Sequence, residues 1–245
     1  MTDNIADDLR SLMTTRIFFG HQSVGQNIID GIGELLSRHG LATDYIVDHD
    51  PPEPADRGFL WHRPVGRNTQ PISKCEDFAH ILTQPPTRHV DFALFKFCYI
   101  DINEHTDITN LFNAYRQHME QLKIRRPDIH FIHTTVPLRD NANGPGVWIR
   151  EMLGRPNRSK LANINRNRFN RLLAEQYGHE SVFDLAASES GYPDGRRSSF
   201  TYKNRDIYYC LANKYTNDGG HLNAAGRLKV AEDFIRYLAR LYRAP

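Results

Sequence analysis

The chain has 245 residues, a formal net charge of +2 from 31 Lys and Arg against 29 Asp and Glu, and three cysteines. That length buries a large core without disulfide staples, and the near-balanced charge excludes a whole-molecule field that would gather nucleic acid or an anionic membrane. Cys75, Cys98 and Cys210 are odd in number and far apart, which excludes a disulfide framework or a CxxC metal site and leaves buried, reduced thiols.

The opening residues MTDNIADDLRSL are acidic and polar, without the apolar core of a signal peptide, and no later run has membrane-spanning length. The expectation is a soluble, cytoplasmic protein with neither nucleic acid nor membrane as partner. One domain spanning 1–245 is expected, since no Pro/Gly/Ser-rich linker divides the chain.

In chain order, the first buried strand is expected at Arg16 to Phe19. A helix follows, with Ile28, Ile29, Ile32, Leu35 and Leu36 on one face and Gly40 as its stop. Tyr45 to Val47, Phe92 to Phe97 and His130 to Val136 read as further strands, with Val182 to Leu185 as a fifth. Leu111, Phe112, Tyr115, Met119 and Leu122 mark a helix that Pro127 closes. Leu161 to Tyr177 marks a third helix and Leu228 to Leu241 a C-terminal one. Alternating strands and helices predict a three-layer α/β/α fold around a mainly parallel, flavodoxin-like sheet of about five strands. Asp50 to Gln70, Asp140 to Lys160 and Ser188 to Gly220 fit neither period and read as functional loops.

In an open parallel sheet, ligands sit outside the carboxyl ends of the strands. The stretch Gly20-His21-Gln22-Ser23-Val24-Gly25 falls there, at the handover from the first strand to the first long helix. Ser23 reads there either as a helix cap or as a nucleophile whose hydroxyl faces the crevice. Near the other end of the chain, Asn217-Asp218-Gly219-Gly220-His221-Leu222-Asn223 places an Asp three residues before a His, ahead of the last helix. Such an Asp can orient the imidazole through one ring nitrogen and leave the other as general base. Alone, either motif is weak: a capping serine, or an ordinary loop aspartate with a surface histidine.

Together these motifs resemble the SGNH (GDSL-like) hydrolase superfamily, with His21-Gln22-Ser23 standing where Gly-Asp-Ser is usual. Phe131 to Pro137, Asn163 to Asn170 and Val182 to Leu185 resemble the family's later strand, helix and strand. The resemblance implies a Ser23, His221, Asp218 triad and a hydrolase that acts on carboxylic esters and needs no cofactor. It also implies an oxyanion hole completed by a second-block glycine and a third-block asparagine. Gly66 in Val65-Gly66-Arg67-Asn68-Thr69 is the candidate glycine, with Asn68 near enough to lend its side chain. In the third block, Cys98-Tyr99-Ile100-Asp101-Ile102-Asn103, Ile100 occupies the asparagine position. The side-chain donor is therefore expected from Asn103 or a protonated Asp101 ahead of Asn68.

His21 is expected to be structural or to contact substrate. A zinc reading would join His21, Asp218 and His221, but the sequence lacks the His-x-x-x-His spacing that puts two ligands on one helix face, so no metal is expected. Trp61-His62-Arg63, Trp148-Ile149-Arg150 and Tyr192 to Arg197 suggest a small-acyl or sugar-borne ester rather than a long lipid tail. Two alternatives stand beside the esterase: a non-catalytic ligand-binding protein of the same fold, and a metal-dependent hydrolase.

Overall fold

The computed structural model describes residues 4–50, 57–84, 89–141, 157–203 and 206–243. Its helices are α1 (Ile5–Leu12), α2 (Ser23–Arg38), α3 (Pro71–Thr83), α4 (Ile108–Arg125), α5 (Arg158–Tyr177), α6 (Leu185–Ser190) and α7 (Ala224–Arg243). The strands are β1 (Arg16–His21), β2 (Ile46–Val47), β3 (Phe59–Pro64), β4 (Phe92–Phe95), β5 (His130–Thr134), β6 (Val182–Phe183), β7 (Ser199–Tyr202) and β8 (Asp206–Tyr209).

The first six strands form one sheet in the order β2-β3-β1-β4-β5-β6, and every adjacent pair in it is parallel. Without the two-residue edge strand β2, the order is the flavodoxin-like 2-1-3-4-5. The sheet thus has six strands rather than about five. The added one is β3, which lies inside the stretch expected to be a loop. Its burial explains the miss: Phe59, Leu60, Trp61 and His62 are all buried between β1 and β2, so neither face gives a polar alternation to read. Trp61 therefore belongs to the core, its ring tilted against Phe18 with centroids 4.3 Å apart, and not to a substrate loop. The third expected loop also carries structure, the antiparallel hairpin β7–β8. Most of the second, residues 142–156 with Trp148-Ile149-Arg150, lies outside the described residues.

Each face of the sheet carries its own apolar layer. Ile17 and Phe19 of β1 point into a cluster with α2 and α7, whereas Phe18 between them points into a cluster with α3 and α4. Asparagine and aspartate cap most helices: Asn4 at α1, Asp107 at α4, Asn157 at α5 and Asp184 at α6. At α2 the N-cap residue is Gln22, whose side chain makes no capping bond. Ser23 is thus the first residue of the helix and not its cap.

Between β1 and β4 the connections part to opposite sides, β3 lying on one flank of β1 and β4 on the other. This is the switch point of the sheet, where a crevice opens outside the carboxyl ends. Ser23 stands two residues beyond the end of β1, at that point.

Candidate active site

The turn from β1 into α2 is fixed by backbone and side-chain contacts on both flanks. Val65 donates its N–H to the His21 carbonyl at 3.0 Å. Gln22 Nε2 donates to the carbonyls of Val65 and Gly66, both at 3.0 Å. His21 turns inward: its Nδ1 faces the Gln22 carbonyl and its Nε2 faces His62 Nδ1, each at 3.0 Å. Because a carbonyl only accepts, His21 carries its proton on Nδ1 and takes a hydrogen bond from His62. Burial holds the His21 imidazole neutral, pushed down to about 3. Gly25 has to be glycine for this packing, since a Cβ there would sit 2.2 Å from His21 Cβ.

Across from this turn, the chain before α7 brings in the second motif. His221 Nε2 lies 3.1 Å from Ser23 Oγ, and His221 Nδ1 lies 2.6 Å from Asp218 Oδ2. Asp218 Oδ1 accepts the N–H groups of Gly220 at 2.9 Å and His221 at 2.8 Å. The His221 side chain and these two N–H donors hold the Asp218 carboxyl well below the usual carboxylate range. Residues 198 positions apart in sequence thus form one line of hydroxyl, imidazole and carboxylate. His21 does not join it, its ring nitrogens being engaged with Gln22 and His62. Among the described residues no group of three or more His, Cys, Asp and Glu is arranged to hold a metal ion.

Several residues that hold the line together carry no sequence motif. Asn27 on α2 accepts the Leu222 N–H at 3.1 Å, tying the histidine loop to the helix that begins at Ser23. Arg139 reaches the carbonyls of Gly219 (3.3 Å) and Asp218 (3.5 Å). The Tyr99 ring stands edge-on to His221, with ring centroids 5.8 Å apart. From α5, Asn163 pairs with both backbone groups of Arg139, and Arg166 Nε donates to the Tyr99 carbonyl at 2.8 Å. The Asn- and Arg-rich face of α5, conspicuous in the sequence, thus braces the loops around the site. Only a three-dimensional contact list could have assigned Asn27, Tyr99 and Arg139.

The expected oxyanion residues are placed differently from one another. Gly66 adopts φ +55° and a Cβ there would meet the Lys74 backbone at 2.5 Å, but its N–H is donated to Asp77 Oδ2 at 2.8 Å. The backbone donor expected at Gly66 is therefore engaged within its own loop. Asp101 is buried, and its carboxylate accepts from Lys74 Nζ at 2.5 Å, the Cys98 N–H at 2.7 Å and the Thr69 N–H at 2.8 Å. With three donors aimed at it, Asp101 acts as an acceptor and not as an oxyanion donor. Asn103 is exposed and its Oδ1 accepts from His105 N–H at 2.8 Å, closing a local turn. Asn68 is also exposed, and its Oδ1 accepts from Lys74 Nζ at 3.0 Å.

This architecture is found in solved structures. A DUF4886 family protein from Bacteroides uniformis superposes with a TM-score of 0.52 at 11% identity, over 91% of this chain and 82% of that one. A protein from Parabacteroides merdae described as a GDSL-like lipase gives 0.50 at 11% identity, over 92% of this chain and 95% of that one. The chain has a divergent SGNH-like fold. No protein-family model and no curated protein matches the sequence. Ser23 stands after the first strand of that fold and His221 before its last helix. No helix among the described residues is long and apolar enough to cross a membrane.

Proposed function

We propose that this protein is a serine-dependent acyl-transfer enzyme that hydrolyses small-acyl esters of a polar, sugar-like alcohol. The observation that carries the reading is the line Ser23 Oγ to His221 Nε2 (3.1 Å) and His221 Nδ1 to Asp218 Oδ2 (2.6 Å) at the switch point of the sheet. Its geometry suits general-base catalysis, in which nucleophile and base are within hydrogen-bond reach and a third group orients the base. The similarity to the Parabacteroides merdae GDSL-like lipase supports the fold side of this reading.

In this mechanism Ser23 Oγ attacks the ester carbonyl while His221 Nε2 takes the hydroxyl proton. His221 then returns that proton to the leaving alkoxide. The Asp218 carboxylate fixes the tautomer, with the proton on Nδ1, and stabilises the imidazolium formed in between. Water repeats the sequence on the acyl-enzyme and releases the acid. Beside the line, the Arg139 guanidinium that reaches the Gly219 and Asp218 carbonyls is a polar group suited to a hydroxylated alcohol rather than an aliphatic chain.

The test is turnover of p-nitrophenyl acetate, p-nitrophenyl octanoate and a peracetylated sugar by the parent, Ser23→Ala and His221→Ala. The expected result is hydrolysis of the short-acyl substrates by the parent, and at least a 10³-fold loss of kcat in each variant. Parent turnover that survives Ser23→Ala would move the nucleophile elsewhere.

A further inference from the structure

The nucleophile's surroundings raise a specific difficulty: a tetrahedral oxyanion needs fixed donors, yet Ile100 fills the expected asparagine position and Gly66 has given its N–H to Asp77. At the start of α2, the Ser23 N–H has no acceptor among the described residues, as expected for the first turn of a helix. One further donor is required on the side of Ser23 away from His221. His221 precedes α7, which packs with α2 in one layer, whereas the loop 65–70, bonded to the turn before Ser23 through the Val65 N–H and the Gln22 amide, leads into α3 of the opposite layer.

That loop is unusually constrained. At one end, Gln22, the neighbour of Ser23, holds the Val65 and Gly66 carbonyls. At the other end, the Thr69 N–H is bonded to Asp101 Oδ1 at 2.8 Å. Thr69 itself sits at φ +67°, a conformation that a β-branched residue adopts only under constraint from its surroundings. Between these anchors stands Asn68, exposed, over a fully buried Lys74.

The chemistry of the Lys74 contact sets the direction of the Asn68 amide. An ammonium can only donate, so the atom 3.0 Å from Lys74 Nζ is Oδ1, and Nδ2, the two-proton donor, is turned the other way. Lys74 is in turn held by Asp101 Oδ2 at 2.5 Å, with both side chains fully buried. Neither the Asn68 N–H nor Nδ2 has a hydrogen-bond partner among the described residues.

We infer that Asn68 is the side-chain donor of the oxyanion hole, and that the buried Lys74–Asp101 ion pair is the device that keeps its amide turned toward the oxyanion. The inference rests on the acyl-transfer reading above. Asn68 is then a catalytic residue that touches the reacting oxygen, whereas Lys74 and Asp101 are positioning residues. The third-block aspartate retains its place in the sequence but acts through Lys74, in the first turn of α3.

The experiment compares steady-state hydrolysis of p-nitrophenyl acetate by the parent, Ser23→Ala, Asn68→Ala, Asn68→Asp, Lys74→Met and the Asn68→Ala/Lys74→Met double variant. Asn68→Asp is the decisive arm: its carboxylate still accepts from Lys74, which preserves any structural role, but offers no side-chain donor. Both Asn68 variants are expected to lose about 10²- to 10³-fold in kcat with KM within about threefold of the parent, the signature of an interaction made in the transition state. Lys74→Met is expected to lose kcat as well, and the double variant no more than the worse single one, since the two residues act as a unit. Should Lys74→Met fail to fold, the Asn68 pair decides alone. Ser23-dependent turnover that Asn68→Asp leaves within about threefold of the parent overturns the inference and spares the acyl-transfer reading. A parent with no Ser23-dependent turnover overturns both.

Discussion

Asp218 and Asp101 are carboxylates in opposite settings, one exposed beside His221 and the other fully buried beside Lys74. Asp218 is more than half exposed, yet its carboxyl is held well below the usual range by His221 and two backbone N–H groups. It therefore stays ionised through mild acid, and the acid limb of kcat/KM should carry no ionisation from Asp218. Asp218→Asn removes that fixed charge at an exposed position. In the hydroxyl-imidazole-carboxylate arrangement, such a change costs on the order of 10⁴-fold in kcat, and the melting temperature of the variant should match the parent's. A variant with unchanged kcat would show that another group orients His221. The triad candidates were legible in the sequence because a short motif fixes each locally. The role of Asp101 was not, since it depends on Lys74 and Thr69, which approach it only after β3 and β4 have taken places on either side of β1.

Among the elements, β3 carries the most that sequence periodicity could not reveal. A central parallel strand buried on both faces gives a short apolar run, and here a Pro, a His and an Arg interrupt it. Yet β3 both supports β1 and launches the loop that carries Asn68. Trp61 anchors it, at 2% exposure and in contact with Phe18. Trp61→Ala should cost about 3 to 5 kcal/mol of unfolding free energy, measured by urea denaturation, and should weaken Ser23-dependent turnover at temperatures where the parent is fully folded. A loss below about 1 kcal/mol would show that β3 is not part of the cooperative core. The long helices were easier to read: α2, α4 and α7 carry apolar stripes at helical spacing, and every residue the spacing marked on α2 and α4 is buried, while on α7 the bounding Leu228 and Leu241 are only partly buried. The helices α1 and α6 were missed because 8 and 6 residues offer few turns from which to read a period, and α3 because its buried face mixes Lys74 with Cys75, Phe78 and Leu82.

Over the whole molecule, buried titratable groups set the pH range in which the fold is secure. Burial, with Lys123 and His130 adding to it, pushes His133 down to about 3. The unfolded chain takes up that proton near the ordinary value of 6.5, so stability is lost as the pH falls from about 6.5 toward 3. By pH 5 such a site costs about 2 kcal/mol, and His21 acts in the same direction. Glu189 opposes them: burial pushes it up to about 8, so acidification below that value favours the fold. A variant comparison isolates the histidine contribution from this opposing one. The loss of unfolding free energy between pH 7.5 and pH 5 should be smaller in His133→Gln than in the parent by about 2 kcal/mol, and an equal loss in both would show that His133 is not neutral in the fold. The proposed reaction rests on Ser23 acting as nucleophile, which a single measurement addresses: incubation with a fluorophosphonate probe, followed by peptide mass spectrometry. The predicted result is one phosphonyl adduct on the peptide containing Ser23, absent from Ser23→Ala and slowed in His221→Ala; an unlabelled parent, or an adduct on a different serine, would contradict the account.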